Sequence, residues 1–331
     1  MRRYSIVPLI AFLLFIVSPT FAETITFTKE YTYQASEFDS KNSCRTLALE
    51  MAKRLLLEDL AAYLDSETEV KDMRLTKDQV TTYSAGIVSA EIMDERWDGK
   101  SYWLKAKVSA ATKEVEKALK KLVEDKSKLK ELEEIRMTAE ELTRENDKLR
   151  RELEAGAKSK ERDKETEAKN VKAYENTITA LNSVDWFRNG LEALIAEQNK
   201  EALDAFAKAI ELKPDYAAAY YNRAEADLSL GNYQQAIGDF SKTTELKPDF
   251  GEAYYGRGLS YVGLGNYQQA INDCTKAIEL KPDLVEAYYG RALSYVVLGN
   301  YQQAVADFKT AARLGDKDSQ ELLKRKGIDW Q

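Results

Sequence analysis

The residues able to do chemistry in this chain are few, and their spacing argues against catalysis. There is no His among 331 residues, which removes the commonest general base and transition-metal ligand. Cys44 and Cys274 lie 230 residues apart and cannot form a Cys-x-x-Cys redox or metal motif. Cys44 falls on an apolar helical face, which predicts a buried thiol. Glu91 and Asp94 are the candidate acids of an enzyme, yet they stand among ordinary surface charge with no Gly-rich phosphate loop nearby. No catalytic, metal-binding or cofactor-binding residue is expected. The most regular charged set is Arg223, Arg257 and Arg291, which invites an anion-binding reading. Asp239, Asp273 and Asp307 recur with them at the same interval, whereas the equivalent upstream positions, Asn189 and Ala205, lack both charges. Presence and absence together predict an Arg–Asp pair inside each unit.

These residues belong to a segment written three times. Gly-Asn-Tyr-Gln-Gln-Ala starts at Gly231, Gly265 and Gly299, and Lys-Pro-Asp at Lys213, Lys247 and Lys281, every step being 34 residues. A fixed period of this size marks a solenoid whose units bury their apolar faces only against neighbours. Within a unit, Ala217 to Leu230 and Tyr233 to Leu246 read as two helices, separated by Gly231-Asn232 and closed by Pro248. The unit resembles the tetratricopeptide repeat (TPR). The copy from Gly251 supplies Tyr254, Gly258, Tyr261, Ala270, Cys274, Ala277 and Pro282 at that family's preferred aromatic, small and proline positions. A diverged copy from Ser183 supplies Trp186, Gly190, Ala202, Phe206, Ala209 and Pro214. The expected fold is mainly α: a TPR α-solenoid of four repeats over 183–318, with a capping helix in 319–331 that turns Leu322 and Leu323 inward and ends at Gly327.

The resemblance implies that the first helices of successive hairpins line a concave groove. Phe187, Tyr221, Tyr255 and Tyr289 then form one aromatic stripe, and Leu191, Glu225, Leu259 and Leu293 run beside it. Arg188, Asn222, Glu252 and Glu286 complete the candidate groove, with Ala236, Phe240, Ala270 and Cys274 expected one layer deeper. An apolar, aromatic groove implies a protein or peptide partner. Some family members clamp the carboxylate of a chaperone tail at five positions, which here carry Phe187, Leu191, Asn222, Glu252 and Gly256. Only Asn222 fits, so that ligand is not expected.

Upstream, Arg2-Arg3, the apolar run Ile6 to Val17 and Ala22 predict a signal peptide over 1–22. Its apolar run, about 12 residues, is shorter than the roughly 20 needed to span a bilayer, and no Cys stands at the cleavage point for lipid attachment. The expectation is a periplasmic or secreted chain with no stable membrane insertion after cleavage. Residues 23–110 predict a small α+β domain. Ile25, Phe27, Tyr31 and Tyr33 alternate along a strand broken by Lys29, and Cys44, Leu47, Ala48, Met51 and Leu55 recur at helical spacing in a helix to about Leu64. A shorter helix over 76–84 follows, then two strands about Asp98-Gly99, which reads as a type I′ turn. Tyr31, Tyr33, Trp97, Tyr102 and Trp103 read as cross-strand packing.

From Ala111 to Ala180 there are 18 Lys or Arg and 18 Asp or Glu, the composition of a long solvated helix or of disorder. Leu132, Ile135, Ala139, Leu142, Asn146, Leu149 and Leu153 nevertheless step by 3 and 4 as an a/d seam. That predicts a coiled-coil helix over 111–156, a homo-oligomer (dimer or trimer) through 132–153 with Asn146 paired to its symmetry mate, and a charged helical spacer over 157–182. The net charge of −7 argues against nucleic acid as a partner. The expected function is a non-enzymatic scaffold of the periplasm or cell envelope. Its rival is an envelope enzyme, or a polymer-binding protein, acting through the N-terminal domain.

Overall fold

The computed structural model describes residues 24–64, 90–124, 126–158 and 164–330, with a few isolated positions between 65 and 89. The signal-peptide segment lies outside these residues. So does most of the predicted 76–84 helix, of which Val80, Thr81 and Ser84 are described and helical.

Alternation turns Ile25, Phe27, Lys29, Tyr31 and Tyr33 to one face of β1 (Thr24–Gln34), which packs on α1 (Lys41–Leu64). Lys29, which interrupts the apolar pattern, reaches Asp59 of α1 at 2.8 Å, so the inward charge is paired. β2 (Ala90–Trp97) and β3 (Ser101–Ala111) complete an antiparallel sheet of order β1-β3-β2. Tyr102, Leu104, Ala106, Val108 and Ala110 of β3 are buried on the helix side. The turn differs from the type I′ expectation. Asp98 and Ser101 flank it, joined by Asp98 N–H to the Ser101 carbonyl at 3.3 Å, and the two central residues are Gly99 and Lys100. Gly99 alone has positive φ, +88°, the pattern of a type II′ turn. Asp98 instead accepts from the Lys100 and Ser101 N–H groups at 2.8 and 2.6 Å, a side-chain-capped turn that lets it stay at negative φ.

Three helices follow: α2 (Thr112–Glu124), α3 (Lys126–Lys158) and α4 (Lys164–Ile195). Here the coiled-coil reading is corrected. The seam residues Leu132, Ile135, Asn146 and Leu153 are buried, but against the chain's own α4, which runs back along α3 as an antiparallel hairpin. Asn146 donates to Thr177 Oγ1 of the same chain at 2.9 Å. The predicted spacer is likewise no spacer. Tyr174, Thr177, Ile178 and Leu181 are buried, and α4 runs unbroken through Ser183 to become the first helix of the diverged repeat. A seam specifies that an apolar stripe must be covered; a partner helix in the same chain, tethered at high effective concentration, covers it first.

The solenoid continues through α5 (Asn199–Leu212), α6 (Ala217–Ser229), α7 (Tyr233–Leu246), α8 (Gly251–Gly263), α9 (Tyr267–Leu280), α10 (Val285–Val297), α11 (Tyr301–Arg313) and α12 (Lys317–Arg325). In α12, Leu323 is buried and the Asp316 carboxylate caps Ser319 N–H at 2.7 Å, as a terminal capping helix requires. Each first helix ends in a Schellman motif. In α6, Gly231 N–H bonds the Leu228 carbonyl at 3.0 Å and Asn232 N–H the Asp227 carbonyl at 2.8 Å, with Gly231 at φ +78°. The diverged repeat makes the same two bonds from Glu197 and Gln198 to Leu194 and Ala193, which forces the non-glycine Glu197 to φ +60°. Glu197→Gly is therefore expected to stabilise this junction by about 1 kcal/mol, read as a raised chemical-denaturation midpoint with an unchanged m-value.

Candidate protein-binding groove

Along one side of the solenoid the first helices, α4, α6, α8 and α10, meet one another in sequence, and this wall carries the predicted groove residues. They fall into two groups. Phe187 and Leu191 are each 1% exposed, Phe187 being wedged between Phe206 and Tyr216 at 5.6 and 4.7 Å. Arg188 turns toward α1, into ion pairs with Asp185 and Glu50. Asn222 is buried and donates to Glu131 of α3 at 2.6 Å and to the Ala218 carbonyl at 3.0 Å. Glu225 faces Lys128, also of α3; burial raises its carboxyl pKa and Lys128 opposes the rise. The start of α3 thus covers the groove at repeats 1 and 2, and Phe187, Arg188 and Leu191 are packing residues, not a binding surface.

The second group, from repeats 3 and 4, is open. Leu259 is half-buried, Leu293 is 42% exposed and Glu286 is exposed, while Glu252 is held by Lys281. Val296 and Val297 extend this apolar edge, at 40% and 57% exposed. The sequence reading overlooked them because the other repeats carry Val262 and Gly263, or Leu228 and Ser229, in their place.

The aromatic stripe has a double role. Tyr221 packs between Phe240 and Phe250 at ring separations of 5.7 and 4.8 Å, and Tyr289 packs on Phe308 at 5.7 Å. Desolvation pushes the hydroxyl pKa of Tyr221 and Tyr255 well above the usual range. These rings are half-buried between repeats, so they are not a layer separable from the core. Close packing also explains Gly256. A Cβ there would stand 2.4 Å from Phe240 Cζ, so glycine leaves the space that the core ring of the preceding hairpin occupies.

The Arg–Asp pairs form as expected. Arg223 meets Asp239 at 2.6 and 2.8 Å, Arg257 meets Asp273 at 2.7 and 2.7 Å, and Arg291 meets Asp307 at 2.7 and 2.8 Å, all bidentate. Arg257 also donates to Ser241 of the preceding repeat at 3.1 Å, and Arg291 to Thr275 at 2.9 Å. Tyr254 lies 5.4 Å from the Arg257 guanidinium. All three arginines therefore tie their own hairpin, and Arg257 and Arg291 also tie it to the preceding one. Arg257→Ala is expected to lower stability by about 2 kcal/mol, because Asp273 stays largely buried without its partner; thermal melting checks this.

Burial pushes the Cys44 thiol up to about 11 and that of Cys274 up to about 12, so neither is a thiolate nucleophile at neutral pH. Among the described residues, no group of three or more His, Cys, Asp or Glu is arranged to hold a metal ion.

The architecture is that of a helical-hairpin repeat solenoid joined to a three-stranded sheet domain. Residues 193–256, 251–284 and 285–315 each match a family model of the tetratricopeptide repeat, so this part of the chain is a run of TPR units. Similar solved structures include the crystal structure of MamA, 24% identical over 46% of this chain and 96% of that one, TM-score 0.40. The Arabidopsis OM64 TPR domain is 28% identical over 36% and 98%, TM-score 0.36. YrrB, described as a TPR protein with an unusual peptide-binding site, is 20% identical over 48% and 84%, TM-score 0.41. No curated protein matches the sequence.

Proposed function

We propose that the chain is a non-enzymatic scaffold that takes a protein or peptide segment in the half of its groove formed by repeats 3 and 4. TPR domains are interaction modules, and the observation that carries this reading is the contrast along one wall. The groove positions of repeats 1 and 2 are already filled by α3. Those of repeats 3 and 4 present Leu259, Leu293, Val296 and Val297 beside the exposed Glu286. A segment with apolar side chains at helical or alternate spacing and a basic flank suits this surface. Photo-crosslinking tests it. A benzoylphenylalanine in place of Leu293 should capture a partner, and one in place of Leu264, exposed at the end of α8, should not; equal capture from both would remove the groove from the mechanism.

A periplasmic or secreted location belongs to the same proposal. It rests on Arg2-Arg3, the run Ile6 to Val17 and Ala22, and N-terminal sequencing of the mature chain decides it: a start at Glu23 supports export. Because the 132–153 seam is covered within the chain, the proposed working unit is a monomer with one open groove. Light scattering at micromolar concentration should return about 38 kDa or less.

A further inference from the structure

Five ionisable side chains meet where α1 lies on α4, and none of them lines the open groove. Glu50 and Lys53 come from α1; Asp185, Arg188 and Glu192 share one face of α4. Lys53 Nζ stands 3.3 Å from Asp185 Oδ1 and 3.8 Å from Glu50 Oε1. Arg188 stands 3.3 Å from Asp185 Oδ1 and 4.0 Å from Glu50 Oε2. These separations are longer than those of charge-assisted hydrogen bonds. Glu50 Oε1 and Asp185 Oδ1 are buried with no hydrogen-bonding partner, and the two carboxyls stand as a neighbouring pair, Asp185 raising the Glu50 pKa. Two carboxylates cannot both accept; such a pair needs a proton between them.

Among the described residues, Lys53 and Arg188 are the cations that act on these carboxyls. Leu57 of α1, Val88, Ala90 of β2 and Val108 of β3 line a small cavity with Lys53, Arg188, Asn189 and Glu192, and Tyr216 stands near Arg188. With every group ionised, three acids face two bases in a largely dry junction. One added proton removes the excess. We propose that this cluster is a proton-operated latch that clamps the N-terminal domain onto the first repeat and loosens that junction as the pH rises.

The titrations agree in direction. Burial, then the neighbouring Asp185, lifts Glu50 to about 7 against the pull of Arg188 and Lys53. Burial lifts Glu192 to about 8 against Arg188 and Lys53. Both values lie above the ordinary 4.5, so the folded junction holds protons that the unfolded chain releases. The linked stability is complete below about pH 4.5 and disappears as pH rises through 7 to 8. Asp185 moves the other way: burial pushes its pKa up, but Lys53 and Arg188 outweigh burial and hold it low. Its contribution is present above its ordinary value of 3.8 and is lost only in stronger acid, outside the latch's window. The neutral hydrogen bond from Thr46 to Asn182 at 2.9 Å spans the same junction throughout, so the contact loosens instead of separating.

Native-state hydrogen exchange on the full chain tests the latch. After correction for intrinsic rates, protection in α1 and in 181–195 should fall about tenfold or more between about pH 6 and pH 9, while α8 and α9 stay unchanged. The Glu50→Gln, Glu192→Gln double variant should lose that pH dependence. A variant that keeps the wild-type dependence, or a wild type that loses protection equally in α8 and α9, overturns the proposal. If the double variant fails to fold, ¹³C-carboxyl NMR of the wild type decides: midpoints near 7 and 8 sustain the latch, and midpoints near the ordinary 4.5 end it.

Discussion

Replacing Tyr221, Tyr255 and Tyr289 together by Ala should abolish cooperative melting of the repeat array. Each ring is half-buried, Tyr221 on Phe240 and Phe250, Tyr289 on Phe308 of its own hairpin, and Tyr255 close enough to the next repeat that a Cβ on Gly290 would stand 3.4 Å from its Cε2. Truncating a fully buried aromatic costs about 3–5 kcal/mol, so about 2 kcal/mol each is a reasonable share for a half-buried one. In a solenoid stability is a sum over units and their interfaces, and losses of about 6 kcal/mol spread over three successive repeats are as large as the whole stability of a marginal domain, about 5–15 kcal/mol. Circular dichroism during thermal unfolding checks this, with each single variant expected to shift the midpoint by several degrees. A triple variant that melts like the wild type would place the tyrosines outside the core. Loss of partner binding by the triple variant is therefore uninformative about the groove. Leu293→Asp is the cleaner probe, since that side chain is already largely exposed.

Arg188→Ala should be the most damaging single charge deletion in the chain. It leaves Glu50, Asp185 and Glu192 facing Lys53 alone in the α1–α4 junction, and removing one partner of a buried ion-paired group costs about 3–5 kcal/mol. The penalty has a sign in pH. With the guanidinium gone, nothing but Lys53 opposes the rise of all three carboxyl pKa values, so the variant should recover much of its stability as pH falls and protons replace the lost cation. Urea unfolding at about pH 5 and about pH 8 reads this; equal destabilisation at both would mean that Arg188 acts through packing and not through charge.

The legible and illegible parts of this fold divide by how far a signal reaches along the chain. The hairpins, their glycine stops, the capping helix and the Arg223–Asp239 pairing were readable because each depends on residues a few turns apart, and the 34-residue period writes the pattern three times. The sheet was readable from alternation, and Lys29 was flagged as the one inward exception before Asp59 was seen to receive it. Glu50, Lys53, Asp185 and Glu192 were not found. On a helix, a charge at three- or four-residue spacing reads as surface, and only their helical position beside Ala48, Ala52 and Val184 could have hinted that two charged faces meet.

What the sequence determined by itself is therefore local and periodic: which segments are helices, which faces are apolar, where glycine must end a helix, and that the repeats stack. Tertiary structure alone decided which surface covers which. The 132–153 seam had to be buried, but its pattern is the same whether the covering helix comes from a second chain or from α4, and chain connectivity selected α4. The groove positions of all four repeats share one register, yet only those of repeats 3 and 4 stay open, because α3 lies over the start of the same wall. Amphipathicity specifies that a face needs a partner and leaves the partner's identity to geometry.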